Sequence, residues 1–177
     1  MSVLPIHGRA RVFADDINTD YIISSHRKKE TIDPQVLKQY LLEDARPGFA
    51  ATLGEGDILV AGKNFGCGSA MEVAVTVVLA AGIRAVVAQS FSRTYLRNAL
   101  NNGLLPVVAD TRAIAEGEQL ALRMDEQGRL LLDHGQAQPI VCEGLPEFVL
   151  NMLQAGGLVA YLKKHRSFDQ TLASSSD

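Results

Sequence analysis

Short apolar runs alternate with two helical stretches along the middle of the chain, and this pattern predicts an α/β fold. The predicted strands are bounded by glycine or turn residues, and they cover residues 8–14, 57–61, 84–90 and 105–109. One helix is predicted over 69–81, ended by Gly82, and a second over 92–101, ended by Gly103. Strands that alternate with helices favour parallel pairing within one sheet.

The segments before and after this central part of the chain have weaker hydrophobic patterns. Residues 15–29 surround a short apolar pair with Asp, Asn and Ser, so they are predicted to be mostly loop. Asp33 and Pro34 supply an N-cap and a first-turn proline for a helix that reaches about Leu42. Toward the C-terminus the pattern predicts a hairpin of 119–124 with 129–133, a helix over 146–153 and a terminal element over 158–164.

Composition narrows the class of protein. The chain has 177 residues, 47% hydrophobic and 21% charged, with a formal net charge of −3. This content fits one folded domain, expected over 1–166, followed by a flexible tail over 167–177. A near-neutral chain without a long apolar run or a signal segment indicates a cytoplasmic protein that binds neither nucleic acid nor membrane. Two cysteines are too few for a disulfide framework or a metal cage, so no metal site is expected in this chain.

The segment from Gly62 to Ser69 (Gly-Lys-Asn-Phe-Gly-Cys-Gly-Ser) lies between a predicted strand and a predicted helix. Its three glycines allow the backbone to approach a ligand closely, and N–H groups at a helix start attract a carboxylate or a phosphate. The spacing is not that of a nucleotide-binding loop. Ser69 and Glu72 also match a capping box, so the same serine has a purely structural interpretation.

Charged groups near the N-terminus form a second candidate site. Asp15, Asp16 and Asp20 suit the orientation of a base or a substrate hydroxyl, although aspartates of this kind more often stabilise turns. The run His-Arg-Lys-Lys at 26–29 suits an acidic substrate group, or simply a solvated loop. The residues alone therefore indicate an α/β domain that binds an acid.

Several ordered motifs resemble the small subunit of 3-isopropylmalate dehydratase, a domain found also as the homoaconitase small subunit and the mobile C-terminal domain of aconitase. The motifs are Asp-Asp-Ile-Asn-Thr-Asp at 15–20, the glycine segment at 62–69, Ser-Phe-Ser-Arg at 90–93, Arg-Asn at 97–98 and Ala-Gly-Gly-Leu at 155–158. The resemblance spans nearly all of the chain except its tail. It implies a swivelling β/β/α domain and a heteromeric hydro-lyase, with the leucine-pathway reaction as the default.

The resemblance also implies that two chains share the chemistry. A separate large subunit carries a [4Fe–4S] cluster, whose open iron holds the substrate hydroxyl as a Lewis acid. By position, Ser69 would remove the proton from the adjacent carbon, and Asp20 would be the family's active-site aspartate. The loop amides around the serine would bind a carboxylate or stabilise the alkoxide, and Arg27 would read the variable group of the substrate. The substrate-binding positions implied by the match are Arg27, Asn64, Gly66, Gly68, Ala70 and Met71.

The chain departs from the family pattern directly after Ser69. Where family members normally read Gly-Ser-Ser-Arg-Glu-His-Ala, this chain has Ala70, Met71 and Val73 in place of the second serine, the arginine and the histidine. A thioether in place of a guanidinium loses a charge-assisted contact worth roughly 1.5–3 kcal/mol.

Three explanations of this departure stay open at the level of the sequence. The substrate could differ from isopropylmalate, as a methyl-substituted malate does, with Met71 against the apolar group. A basic residue of the 26–29 run (Arg27, Lys28 or Lys29) could replace the missing charge. The chain could also be a non-catalytic binding or regulatory subunit that keeps the fold.

Overall fold

A computed structural model describes residues 3–165, which form a seven-stranded mixed sheet with a buried apolar cluster on each face. The strands are β1 (Ile6–Val12), β2 (Ile58–Ala61), β3 (Ala85–Ala88), β4 (Leu105–Val108), β5 (Gln119–Met124), β6 (Leu130–His134) and β7 (Ile140–Val141). The helices are α1 (Thr19–Ile22), α2 (Ser25–Lys28), α3 (Pro34–Leu37), α4 (Val73–Ala80), α5 (Arg93–Asn102), α6 (Glu147–Gln154) and α7 (Leu158–Lys164). The predicted tail over 167–177 lies outside the described residues.

The sheet has a parallel half and an antiparallel half. Its strand order is β4-β3-β2-β1-β5-β6-β7, with β1 to β4 parallel and β5 to β7 antiparallel to their neighbours. The α/β prediction and the parallel pairing of the central strands are therefore confirmed. None of the helices formed by residues 3–165 has the length and apolar character of a membrane span.

Strands β2, β3 and β4 are buried on both faces, which explains their unbroken apolar runs. Successive residues of β2 and β3 alternate between the two clusters, because strand side chains point to opposite faces in turn. Leu59, Ala61, Val86 and Ala88 join the cluster that contains α4, whereas Ile58, Val60, Ala85 and Val87 join the cluster beneath β5 and β6.

The predicted hairpin is present as β5 and β6. Asp125 closes its turn, with a carboxylate oxygen that accepts hydrogen bonds from the N–H groups of Gln127 (3.0 Å) and Arg129 (2.8 Å). Gly128 has φ +78°, a conformation that glycine adopts without strain. The turn chemistry therefore accounts for the register of this half of the sheet.

The prediction that residues 15–29 are mostly loop is partly wrong, because they contain α1 and α2. The polar residues that suggested a loop are N-caps. Asn18 Oδ1 accepts from the N–H of Tyr21 at 2.8 Å, and Ser24 Oγ accepts from the N–H of Arg27 at 3.4 Å. Each helix has only four residues, too few for a helical hydrophobic period to show in the sequence.

The other N-terminal helix is also shorter than predicted. Asp33 caps α3 through its side chain, as expected, with Oδ1 2.9 Å from the N–H of Gln35. Beyond Leu37 the chain continues as a short 3₁₀ turn over Lys38–Tyr40, and Leu42 already has φ +55°. The positive φ at Leu42 ends regular structure at the predicted end of the helix.

The helix predicted from Ser69 begins instead at Val73, and the capping box is absent. Glu72 occupies the N-cap position but makes no side-chain capping bond. Two features hold the preceding residues in a loop: Gly68 has φ +96°, and the carbonyl of Cys67 accepts from the N–H of Thr19 at 2.9 Å. The positive φ and the hydrogen bond keep the residues before Val73 in a loop beside α1, and α4 begins only after this loop.

A buried ion-pair network, which the sequence did not indicate, joins β1 to the segment before β2. The Asp57 carboxylate lies 2.9 Å from Arg9 and 3.3 Å from Arg11, and Arg11 lies 2.8 Å from Glu116. The Asp57 and Arg11 side chains are only 5% and 7% exposed. Burial alone would raise the pKa of Asp57, but hydrogen bonds from Arg9, the Gly54 N–H and Arg11 outweigh it and lower that pKa.

We expect Asp57→Asn to lower the free energy of unfolding at pH 7 by about 1.5–3 kcal/mol, because it removes the charged acceptor that Arg9 and the buried Arg11 share and leaves Arg11 with Glu116 as its only carboxylate. Since the folded pKa of Asp57 is lowered, its stabilisation is present above the unfolded pKa of about 4 and disappears as the pH falls through the lower folded value. Urea unfolding at pH 7 and pH 3 measures both effects. Asp110→Asn is the control, since the Asp110–Arg112 pair is exposed to solvent and its loss should change the free energy of unfolding very little. Equal losses in the two variants would contradict the role assigned to Asp57.

Candidate active site

The loop that follows β2 lies at the carboxyl edge of the parallel strands, where α/β proteins bind ligands. We call residues 62–72 the glycine loop. On one side it bonds to the loop after β1: Gly66 N–H donates to Ile17 at 2.7 Å, and Lys63 C=O accepts from Asp16 at 2.8 Å. On the other side Phe65 exchanges two 3.0 Å backbone bonds with the segment after β3. The glycine loop is therefore fixed between its two neighbours.

Side chains from both neighbouring loops complete this support. Asp15 Oδ1 accepts from the N–H of Lys63 at 2.7 Å, and Asp16 Oδ1 accepts from the side-chain amide of Asn64 at 3.1 Å. Ser90 Oγ accepts from the N–H of Asn64 at 2.8 Å. Asp15 and Asp16 thus stabilise the glycine loop. This is the structural one of the two roles that the sequence allowed for these aspartates. Asn64 is exposed with φ +64°, and its predicted contact with substrate stays a prediction.

Gly66 has no room for a side chain. A Cβ added there would lie 2.2 Å from Cγ of Tyr95, and the residue has φ +78°. Tyr95 is buried and donates its hydroxyl to the carbonyl of Ala74 at 2.9 Å, and burial raises the pKa of Tyr95 so that the phenol stays neutral. Because the Gly66 N–H is already bonded to Ile17, it is not available to a ligand. Gly66 is therefore a packing residue rather than the predicted donor.

A single hydroxyl connects the glycine loop to α5. Ser92 Oγ donates to the carbonyl of Gly66 at 2.8 Å, and it also accepts from the N–H of Tyr95 at 3.2 Å as the N-cap of the helix. The predicted start of this helix is confirmed to within one residue.

Ser69 and its neighbours form the exposed part of the glycine loop. Gly68, Ser69 and Ala70 are all exposed. Within residues 3–165, nothing accepts a hydrogen bond from their three N–H groups, and the Ser69 hydroxyl has no partner. A hydroxyl and three N–H groups on adjacent residues can together bind an anionic group.

A second group of side chains meets the end of the glycine loop from α1 and α2. Asp20 Oδ1 accepts from Ser25 Oγ at 2.5 Å and lies 3.3 Å from Lys28 Nζ. Lys28 Nζ also lies 2.9 Å from Sδ of Met71. The hydrogen bond from Ser25, and to a lesser extent Lys28, lower the pKa of Asp20, whose carboxylate is mostly exposed. The structure thus brings Asp20 and Met71 together through a lysine.

Arg27 is bound elsewhere in this structure. Its Nε lies 2.8 Å from Oε1 of Glu43, and its guanidinium stacks 3.7 Å from the centre of the Tyr40 ring. The hydrogen bond that Arg27 donates to the Glu43 carboxylate raises the pKa of Arg27. Its predicted role in substrate specificity stays a prediction. For that role Arg27 would have to leave Glu43 and Tyr40 and contact the substrate instead.

The cysteines do not supply a metal centre in the described part of the chain. No group of three or more His, Cys, Asp or Glu side chains that could hold a metal ion is found in residues 3–165. Cys142 is buried, and burial raises the pKa of its thiol to about 11, which disfavours the thiolate that binds iron. Cys67, in the glycine loop, would be a single ligand. These residues do not fit an iron–sulfur cluster.

Together, the fold and the glycine loop define an α/β domain that presents a serine and free backbone amides at the carboxyl edge of its parallel strands. The family model of the aconitase C-terminal domain matches residues 18–112 of the chain. The chain belongs to the aconitase C-terminal domain family, in the branch of the 3-isopropylmalate dehydratase and homoaconitase small subunits. This finding confirms the resemblance inferred from the motifs.

Individual relatives cover nearly the whole chain. The homoaconitase small subunit of Methanocaldococcus jannaschii is 40% identical over 161 residues, 91% of this chain and 93% of that protein. A 3-isopropylmalate dehydratase small subunit of Methanopyrus kandleri is 43% identical over 168 residues, 93% and 97% of the two chains. The crystal structure of a 3-isopropylmalate dehydratase protein from M. jannaschii gives a TM-score of 0.83 at 38% identity, covering 95% of this chain and 99% of the other. Relatives named for two different substrates are thus similarly close.

Proposed function

We propose that this chain is the small subunit of a heteromeric iron–sulfur hydro-lyase that dehydrates or isomerises a hydroxy-carboxylic acid. The observation that carries the proposal is the exposed run Gly68–Ala70, with an unbonded serine hydroxyl and three unbonded N–H groups, in a chain of this family. The 3-isopropylmalate reaction of leucine biosynthesis is the default, because several relatives with that name, from different organisms, are 40–43% identical over nearly the whole chain.

In this proposal Ser69 is the general base that removes a proton from the carbon beside the hydroxyl-bearing carbon of the substrate. Its exposed hydroxyl is not used in the fold of the described residues, so it is free to face a ligand. The N–H groups of Gly68 and Ala70 flank it and would stabilise negative charge on the serine oxygen or on a bound carboxylate.

Asp20 has a supporting role in this proposal. Because the hydrogen bond from Ser25 lowers its pKa, Asp20 is ionised at neutral pH and carries no proton to donate. Its carboxylate instead holds Lys28 beside Met71.

The [4Fe–4S] cluster would be bound by a large subunit and would supply Lewis-acid activation of the substrate hydroxyl. The residues of this chain would complete that site from the other side by binding and orienting the acid, and by accepting its proton. The required partner is thus a cognate large subunit, and the ligand is a small hydroxy acid.

A second candidate substrate is a malate with a methyl substituent. The observation in its favour is the half-buried Met71, which presents a thioether two residues after Ser69. An apolar side chain at this position favours a substrate whose variable group is small and apolar.

Anaerobic reconstitution with the cognate large subunit, iron and sulfide tests the proposed function. The assay follows formation of the unsaturated acid from isopropylmalate, homocitrate, citrate, citramalate and dimethylmalate. We expect turnover of one of these acids by the complex, and none by either subunit alone. A stable complex with an intact cluster that converts none of the five would contradict the proposal and support a binding or regulatory subunit.

A further inference from the structure

The ammonium of Lys28 is a buried charge whose hydrogen-bonding capacity is incompletely used within the described residues. The Lys28 side chain is only 6% exposed. Its Nζ has three donor hydrogens but two neighbours, Asp20 Oδ1 at 3.3 Å and Met71 Sδ at 2.9 Å. A thioether is a weak acceptor, and the Asp20 oxygen is already closer to Ser25 at 2.5 Å. The lysine therefore lacks a strong partner for at least one N–H.

Such an arrangement is costly unless an anion completes it. A buried charge is stable when it is both paired and hydrogen-bonded, and Asp20 meets this need only in part. The contact with Met71 places the ammonium against a side chain of the glycine loop, and the residue before Met71 in the chain is Ala70, whose N–H is unbonded within the described residues. Positive charge and free donors at one place are suited to a carboxylate.

We propose that Lys28 binds a substrate carboxylate, the one attached to the carbon that loses its proton to Ser69. The inference rests on the proposed function. In the complex the carboxylate takes the place of Met71 Sδ as the acceptor, while Asp20 keeps the ammonium in position. This carboxylate is common to all malates, so Lys28 recognises the class of substrate and leaves the variable group to other residues.

Binding of two matched ligands to the assembled complex tests Lys28 without relying on turnover. Succinate and succinamide share a four-carbon chain, and succinamide has neutral amides in place of the two carboxylates. Calorimetry is expected to show that Lys28→Met raises the Kd of succinate by about 10- to 150-fold, the loss expected for one charge-assisted hydrogen bond, and raises the Kd of succinamide by less than about tenfold, because only a neutral hydrogen bond is lost. Lys28→Arg keeps the charge and is expected to retain most of the succinate affinity.

Lys29→Met is the matched control, because Lys29 is the exposed neighbour of Lys28 in the chain. It is expected to leave both dissociation constants and the melting temperature unchanged. If Lys28→Met weakens the binding of both ligands equally, or of neither, Lys28 supports the loop only and the inference is wrong. A wild-type complex that binds succinate through Lys28 but converts no malate would contradict the proposed function alone.

Discussion

Ser69→Ala is expected to lower kcat of the assembled complex by about 10²–10⁴-fold, the range for loss of a general base. The free energy of unfolding should change by less than about 0.5 kcal/mol, because the Ser69 hydroxyl is exposed and has no partner within residues 3–165. Steady-state kinetics of the reconstituted complex and urea unfolding of the chain measure the two quantities. The separation of activity from stability is the signature of a chemical role.

Ser90→Ala is the matched control for this experiment. Ser90 is also an exposed serine near the site, but its Oγ accepts from the N–H of Asn64 at 2.8 Å. Its loss should cost about 1 kcal/mol of stability and have a much smaller effect on kcat. If Ser69→Ala keeps wild-type kcat, the base lies elsewhere; if it resembles Ser90→Ala, Ser69 only supports the loop.

The largest loss of stability in the site is expected from Gly66→Ala. The new Cβ would lie 2.2 Å from Cγ and 2.4 Å from Cβ of Tyr95, and the backbone would keep a strained φ of +78°. Strain and overpacking each cost about 1–3 kcal/mol, so we expect a total loss of about 2–6 kcal/mol. Tyr95 is tied to α4 through its bond to Ala74, so the variant should also displace the glycine loop and reduce turnover.

Gly82→Ala separates the two causes of this loss. Gly82 has a similar φ of +87°, but a Cβ there would meet nothing within 4 Å. The free energy of unfolding of Gly82→Ala should therefore fall only by the cost of the strained backbone conformation, about 1–2 kcal/mol. Thermal unfolding of both variants compares them directly, and losses of the same size would show that Tyr95 does not restrict Gly66.

The sequence predicted the central sheet well because its strands are buried on both faces. Continuous apolar runs bounded by glycines mark such strands without reference to the rest of the fold. The start of α4 was mispredicted because it depends on a contact with a distant part of the chain. The Ser-x-x-Glu pattern at 69–72 is local, whereas the loop conformation depends on a bond from Thr19, which lies far away in the chain.

In the candidate site, too, the sequence predicted what depends on local residues and missed what depends on tertiary contacts. The position of Ser69 followed from the motif, since the glycine segment is continuous in sequence. The sequence could not choose among Arg27, Lys28 and Lys29, because the choice depends on tertiary contacts. The structure pairs Arg27 with Glu43 and brings Lys28 to Met71, 43 positions away. The buried Asp57 network was missed for the same reason, since its members come from separate segments.

The shared hydroxyl of Ser92 has a consequence for motion. It accepts from the first turn of α5 and donates to Gly66, and the N–H of Ser92 donates to the carbonyl of Phe65 at 3.0 Å. The same residue therefore anchors both the helix start and the glycine loop, so a displacement of Ser92 would loosen both. Gly68, Ser69 and Ala70 are already exposed, so a ligand can reach them while the loop keeps this conformation.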